Sequence, residues 1–165
     1  MILYHGSLEI IRKPAILEPN RTMDYGKGFY TTTSKDQADK WVARKISAIG
    51  TDKGFTNIYS FDESGFETLN VLKFDSANEQ WLDFVMQNRT EKNFSHDYDI
   101  VYGPVANDRV YAAFALYEDG MIDKEGLIKE LRAYKLADQV LFHSIKSLEY
   151  LHFENIVEVC KWIEI

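Results

Sequence analysis

The chain has 165 residues, of which 45% are hydrophobic and 14% aromatic, and this is enough for one well-packed domain and short for two. Its net charge of −7 argues against nonspecific binding to duplex nucleic acid, which depends on many Lys and Arg contacts to phosphates. No apolar run approaches the roughly 20 residues that span a bilayer, and the start of the chain lacks a basic segment followed by an apolar one. We therefore expect a single domain over residues 1–165, located in the cytoplasm and without a membrane partner.

The first fifty residues carry strand and helix signals in alternation. The short apolar run 2–5 predicts an opening strand, and the β-branched and aromatic composition of 29–33 predicts a second. Ser34 can cap a helix that Gly50 ends. Apolar residues at three- and four-residue spacing predict one buried face on this helix, formed by Ala38, Trp41, Val42, Ile46 and Ile49.

Strands and helices continue through the rest of the chain without a regular βαβ rhythm, which favours an α+β fold. Cys160, the single cysteine, cannot form an intramolecular disulfide, and we expect it in the core. Apolar runs predict further strands at 55–61, 69–74, 98–105, 139–143 and 156–165. Helices between them would begin at the capping residues Ser76, Asn107, Asp123 and Ser144.

The charge is unevenly distributed. Residues 1–50 hold eight Lys and Arg against five Asp and Glu, whereas residues 51–165 hold 11 against 21. An anionic ligand would therefore be sought in the first third of the chain, and the alternative is that the surface charge is simply uneven. His96, His143 and His152 lack ligand-like spacing, so we expect no metal site.

Three local motifs are candidates for function. His5-Gly6-Ser7 closes the first strand, Lys27 lies between two glycines, and Trp41 follows Tyr30 by eleven residues. Taken singly, each has an ordinary structural explanation as a strand-end histidine, a turn and a core aromatic residue.

Together these motifs resemble the ADP-ribosyltransferase superfamily of the diphtheria-toxin and poly(ADP-ribose) polymerase branch. That superfamily has a His-Gly-Ser strand, a Gly-Lys-Gly-aromatic-Tyr stretch and a second aromatic residue at the spacing found here. The matching segments are Tyr4–Ser7, Gly26–Thr32 and Trp41. More closely, the chain is similar to a bacterial family of uncharacterised, transferase-like proteins that also carry the segment found at Asp99–Ala106.

The resemblance implies an ADP-ribosyltransferase-like fold, in which two packed, mainly antiparallel sheets flanked by helices form a cleft for NAD. The third element of the superfamily signature is a catalytic Glu on a late strand. In this chain the matching strand is 138–143, and Gln139 occupies the position of the Glu. The expected catalytic triad is therefore His5, Tyr30 and Gln139.

The resemblance also implies what each residue does with NAD, which is a substrate here. His5 would bond a hydroxyl of the adenosine ribose, and the Gly6 backbone would bind the nicotinamide carboxamide. Tyr30 and Trp41 would sandwich the nicotinamide ring. Further contacts would come from Ser7 to the ribose and from Arg21 and Lys27 to the pyrophosphate.

The leading hypothesis is an NAD-dependent ADP-ribosyltransferase that acts on an intracellular target and releases nicotinamide. The acceptor, whether a macromolecule or a small molecule, stays open, as do a toxin or defence role and a neutralising protein partner. Since an amide offers a dipole where a carboxylate offers a charge, Gln139 would slow the reaction by roughly 10²–10³-fold. The alternatives are a catalytically weak or inactive NAD-binding module and an NAD glycohydrolase.

Overall fold

The computed structural model describes residues 1–18, 23–91, 93–105, 108–133 and 136–160. The strands are β1 (Ile2–Ser7), β2 (Phe29–Thr32), β3 (Lys53–Phe61), β4 (Val71–Lys73), β5 (Ile100–Pro104), β6 (Asp138–Phe142) and β7 (Leu151–Cys160). The helices are α1 (Lys35–Ile49), α2 (Gly65–Thr68), α3 (Glu79–Thr90), α4 (Asp108–Glu118), α5 (Lys124–Arg132) and α6 (Ile145–Leu148). Within these ranges no helix has both the length and the apolar character required to cross a bilayer.

The strands form one open sheet in the order β4-β5-β6-β2-β1-β3-β7. All neighbouring strands are antiparallel except β4 and β5, which are parallel. The predicted α+β class is confirmed. The prediction of two packed sheets is wrong for this chain, because β1 and β2 remain paired and join all seven strands into a single sheet.

The pairing between β1 and β2 is minimal, and this nearly divides the sheet. β1 pairs with β3 along its whole length from Ile2 to Ser7, and β2 pairs with β6 along its whole length. Between β1 and β2 the register has one position, Tyr4 opposite Thr32. Since neighbouring strands normally share a continuous ladder, the missing pairs leave residues 5–7 of β1 and 29–31 of β2 without a partner in each other.

Apolar side chains cover the sheet in two clusters. One cluster lies between the sheet and helices α3, α4 and α5, and its largest fully buried members are Trp81, Tyr25 and Phe114. The other is formed by β1, β2, β3, β5, β6 and the start of β7, with Tyr59, Phe142 and Leu3 fully buried. These clusters fix the strands that carry the site residues described below.

Helix α1 has the predicted ends but a narrower buried face. The Ser34 side chain accepts a hydrogen bond from the Gln37 N–H, and Gly50 ends the helix in the left-handed conformation at φ 77°. The prediction that Trp41 and Ile49 are buried is wrong, because they lie at the edge of the stripe and are 38% and 68% exposed. The buried residues are Ala38, Val42 and Ile46.

Three further predictions need correction. Helix α3 is capped by Asn78 in place of Ser76, since the Asn78 side chain accepts from the Trp81 N–H. The last strand begins at Leu151, ahead of the predicted 156, and leaves Cys160 exposed at its end. The caps at Asp123 and Ser144 are confirmed. Asn107 and residues 161–165 lie outside the described part of the chain.

Candidate functional site

A cleft of about 1000 Å³ opens where β1 and β2 separate. This volume is at the upper end of the range for small-molecule sites. Residues of β1, β2 and α1 line it, together with the loop after β1 and the end of α3. Five of the predicted site residues, from four separate segments of the chain, line this one cleft: His5, Gly6, Tyr30, Trp41 and Gln139.

His5 bridges the two halves of the sheet. Its Nδ1 lies 2.6 Å from the carbonyl oxygen of Tyr30, and its ring stacks on Phe29 at 4.5 Å between centroids. Burial lowers the pKa of His5 to about 4, so the ring is neutral near pH 7. Because a carbonyl oxygen only accepts, the single ring proton is on Nδ1. Nε2 therefore carries a lone pair that can accept a hydrogen bond from a ligand.

Gly6 allows β1 to lie directly against helix α1. A Cβ at this position would come within 2.6 Å of the Ala38 carbonyl oxygen and 3.0 Å of Val42 Cγ2. The same Cβ would lie 3.2 Å from Cδ1 of Trp41, which brings the indole next to the Gly6 backbone. The glycine is thus required by strand–helix packing, apart from any contact with a ligand.

Tyr30 is held by the glycine-containing loop that precedes it. Its hydroxyl donates to the Gly26 carbonyl at 2.7 Å and accepts from the Tyr25 N–H at 3.3 Å. Gly26 adopts a φ of 79°, a conformation that glycine takes without steric cost. Burial raises the pKa of Tyr30, so the phenol stays protonated. The hydroxyl is used by the backbone, and the ring is the part of Tyr30 that can serve a ligand.

Trp41 presents an exposed aromatic ring on helix α1. It is 38% exposed, and the Lys45 ammonium lies 5.5 Å from the ring centroid. A large exposed ring beside a cation favours a planar or anionic ligand. Arg44 and Lys45 also line the cleft, and sequence reasoning missed both. Their spacing of three and four residues after Trp41, which puts them on its side of the helix, is the signal that could have found them.

Gln139 is 5% exposed at the base of the cleft, on β6. Its Nε2 lies 3.4 Å from the Pro104 carbonyl oxygen, which also accepts from the Tyr25 hydroxyl at 2.8 Å and from the Trp81 indole N–H at 3.2 Å. Because this carbonyl can only accept, the amide NH₂ faces it and the amide oxygen points elsewhere. A carboxylate at this position would place a negative oxygen beside the carbonyl. The local structure therefore suits Gln and disfavours Glu.

Two predicted contacts are not brought to the cleft. The Ser7 hydroxyl accepts from the Glu9 N–H, and Lys27 forms an exposed ion pair with Glu18. Neither Ser7 nor Lys27 lines the cleft. Arg21 lies outside the described residues.

The described residues include no group of three or more His, Cys, Asp or Glu arranged to hold a metal ion. Asp99 is buried and does not line the cleft. Burial alone would raise the pKa of this carboxyl group, but hydrogen bonds from Ser144, Lys146 and the Asn70 N–H outweigh that effect and lower the pKa. The Asp99 side chain thus ties β5 to the α6 region and has no exposed oxygen to offer a ligand at the cleft.

The chain is an α+β protein with one seven-stranded open sheet and a cleft lined by residues of β1, β2 and α1. Residues 1–153 match the family described as protein of unknown function (DUF3990). Because the match covers most of the chain, the chain belongs to this family. No curated protein matches the chain.

Proposed function

We propose that this protein is an NAD-dependent ADP-ribosyltransferase, which binds NAD in the cleft, releases nicotinamide and transfers ADP-ribose. One observation carries the proposal: His5, Gly6, Tyr30, Trp41 and Gln139 line the same cleft although they come from four separate segments. These are the positions at which the sequence resembles ADP-ribosyltransferases. An NAD site built from these positions would require them to share one cavity, and they do.

The chemistry of these groups suits NAD. The lone pair on Nε2 of His5 would accept a ribose hydroxyl, and Tyr30 and Trp41 would pack against the nicotinamide ring. Arg44 and Lys45 line the cleft beside Trp41 and would contact the pyrophosphate, the role that the resemblance suggested for Lys27 and for Arg21. The basic first third of the chain thus supplies the cations for an anionic dinucleotide.

The reaction requires positive charge on the ribose to be stabilised as nicotinamide leaves. The Gln139 amide oxygen, turned away from the Pro104 carbonyl, would accept a bond from a ribose hydroxyl but adds no charge. We expect the reaction to be roughly 10²–10³-fold slower with Gln at this position than with a residue that carries a carboxylate. The proposed enzyme is therefore slow unless another carboxylate contributes.

A second candidate function is an NAD-binding module without turnover. The observation that favours it is the packing of the Gln139 amide against Pro104 and Tyr25, which disfavours a carboxylate at this position. A glycohydrolase would use the same cleft with water as acceptor. All three functions share NAD as ligand and differ in whether nicotinamide is released and where the ribose goes.

The transferase is proposed to act in the cytoplasm on a macromolecule or small molecule. A toxin or defence role, with a neutralising protein partner, is a further part of the proposal and rests on the family resemblance alone. The acidic remainder of the chain argues against long duplex nucleic acid as the acceptor.

The test is to incubate purified protein with NAD labelled in the adenine ring and to measure free nicotinamide and labelled products, both macromolecules and small molecules other than ADP-ribose, with and without cell extract. A transferase releases nicotinamide and labels a component of the extract. A glycohydrolase releases nicotinamide equally in both conditions and labels nothing. A binding module does neither, yet NAD still changes its tryptophan fluorescence. Absence of all three signals would refute NAD as the ligand.

A further inference from the structure

A second polar group in the cleft surrounds Asp24. The Tyr111 hydroxyl donates to Asp24 Oδ2 at 2.9 Å, and Arg89 Nη1 lies 3.3 Å from Oδ1. The Arg89 guanidinium also packs over two rings, 5.0 Å from the centroid of Tyr111 and 5.2 Å from that of Phe114. The Asp24 side chain is only 11% exposed, so this carboxylate is held in one place.

Asp24 lies at the hydroxyl end of Tyr30. The two backbone groups that hold the Tyr30 hydroxyl belong to Tyr25 and Gly26, the residues directly after Asp24. The negative charge of Asp24 also acts on Tyr30. Burial is the main cause of the raised pKa of this phenol, and the charge of Asp24 raises it further. A ring stacked on Tyr30 would therefore have the Asp24 carboxylate at one end.

Asp24 is the best placed of the acidic residues that line the cleft. Among the described residues these are Glu9, Asp24 and Glu118. Glu9 and Glu118 are exposed, where solvent weakens the field of a charge. Asp24 is partly buried and fixed by two partners, so its charge needs little reorganisation during a reaction.

We propose that Asp24 is the catalytic carboxylate of the transfer reaction, with Arg89 and Tyr111 as its positioning residues. This inference rests on the proposed function. It assigns to the loop before β2 the negative charge that Gln139, on β6, does not carry.

In the proposed step the bond between ribose C1′ and the nicotinamide nitrogen breaks, and its electron pair stays on nicotinamide. A bond forms between C1′ and the nucleophilic atom of the acceptor, whose proton moves to Asp24. The acceptor is therefore a nucleophile with a proton to lose, such as a hydroxyl, a thiol or an amine. A carboxylate acceptor is disfavoured, because it has no such proton and would be repelled by Asp24.

The test compares wild-type protein with Asp24→Asn, which keeps the size but removes the charge and one of the two acceptor oxygens, and with Asp24→Glu, which keeps the charge. Asp119→Asn is the matched control, because it makes the same change in net charge at an exposed position that does not line the cleft. Measurements are nicotinamide release at saturating NAD and the Kd for NAD from tryptophan fluorescence.

We expect Asp24→Asn to lower kcat by about 10²-fold or more while the Kd changes less than threefold. Asp24→Glu should recover part of the rate. If Asp24→Asn keeps kcat within threefold, or if Glu9→Gln or Glu118→Gln loses the rate in its place, the inference is wrong and the proposed function stands. If wild-type protein neither binds NAD nor releases nicotinamide, the proposed function fails, and the inference with it.

Discussion

His5 Nδ1 lies 2.6 Å from the carbonyl oxygen of Tyr30, and this hydrogen bond joins β1 to β2 where the strands otherwise share one register position. The same imidazole lines the cleft. The junction of the sheet and the proposed ligand contact therefore depend on one neutral ring.

Stability should decline as the pH falls from 6.5 towards 4. Burial lowers the pKa of both His5 and His143 from 6.5 to about 4, so in this window the unfolded chain binds protons that the folded chain does not. Each histidine contributes a slope of up to about 1.4 kcal/mol per pH unit, and its contribution is complete above pH 6.5. Urea unfolding at pH 7.5, 6 and 5 measures the effect.

The variant His143→Phe provides the comparison for this slope. The His143 ring packs edge-on against His96 at 4.6 Å, an arrangement that a Phe ring can also adopt. We expect the variant to show a shallower pH dependence than wild-type protein. If the free energy of unfolding depends on pH equally in both proteins between pH 6.5 and 4.5, His143 does not contribute to the loss of stability at low pH.

Gly6→Ala should destabilise the protein by about 1–3 kcal/mol, because the added methyl group collides with the Ala38 carbonyl and Val42. Gly54→Ala is the matched control, since its Cβ would also press on Val42, at 2.6 Å, but Gly54 does not line the cleft. Thermal unfolding should show a loss in both variants, and calorimetry should show weaker NAD binding in Gly6→Ala alone. Equal NAD affinities in the two variants would contradict a role for Gly6 in the site.

The packing of Gln139 leads to an unusual order of stabilities. Gln139→Leu loses a long amide bond to the Pro104 carbonyl, whereas Gln139→Glu puts a buried carboxylate beside that carbonyl. Removing one weak contact costs less than burying a charge next to a like partial charge. We expect Gln139→Glu to be less stable than Gln139→Leu by about 1–3 kcal/mol at pH 7 in urea unfolding. A Glu variant as stable as the Leu variant would show that the site accommodates a carboxylate.

Elements defined by local signals could be predicted from the sequence. The Ser34 cap and the Gly50 end of α1 follow from contacts within one turn, and both are confirmed. The strands that begin at Ile2 and Phe29 likewise follow from composition. The aromatic pair Tyr30 and Trp41 follows from the resemblance to ADP-ribosyltransferases, and both residues line the cleft.

What depends on distant contacts could not be predicted. The ion pair of Asp24 and Arg89 joins residues 65 positions apart, and a basic residue on an amphipathic helix carries no local sign of such a partner. The spacing of apolar residues in α1 places Trp41 near the buried face, but it does not indicate whether another element of the fold covers the indole ring. The single sheet depends on one register position, Tyr4 opposite Thr32, which no local pattern specifies.

The most direct test of the NAD cleft is titration calorimetry of NAD with wild-type protein, Trp41→Ala and Ile49→Ala. Both replaced side chains are exposed on α1, at 38% and 68%, and only Trp41 lines the cleft. We expect wild-type protein and Ile49→Ala to bind NAD equally, and Trp41→Ala to bind at least about tenfold more weakly through loss of ring stacking and burial. No heat of binding with wild-type protein, or equal affinity in Trp41→Ala, would contradict the assignment of this cleft to NAD.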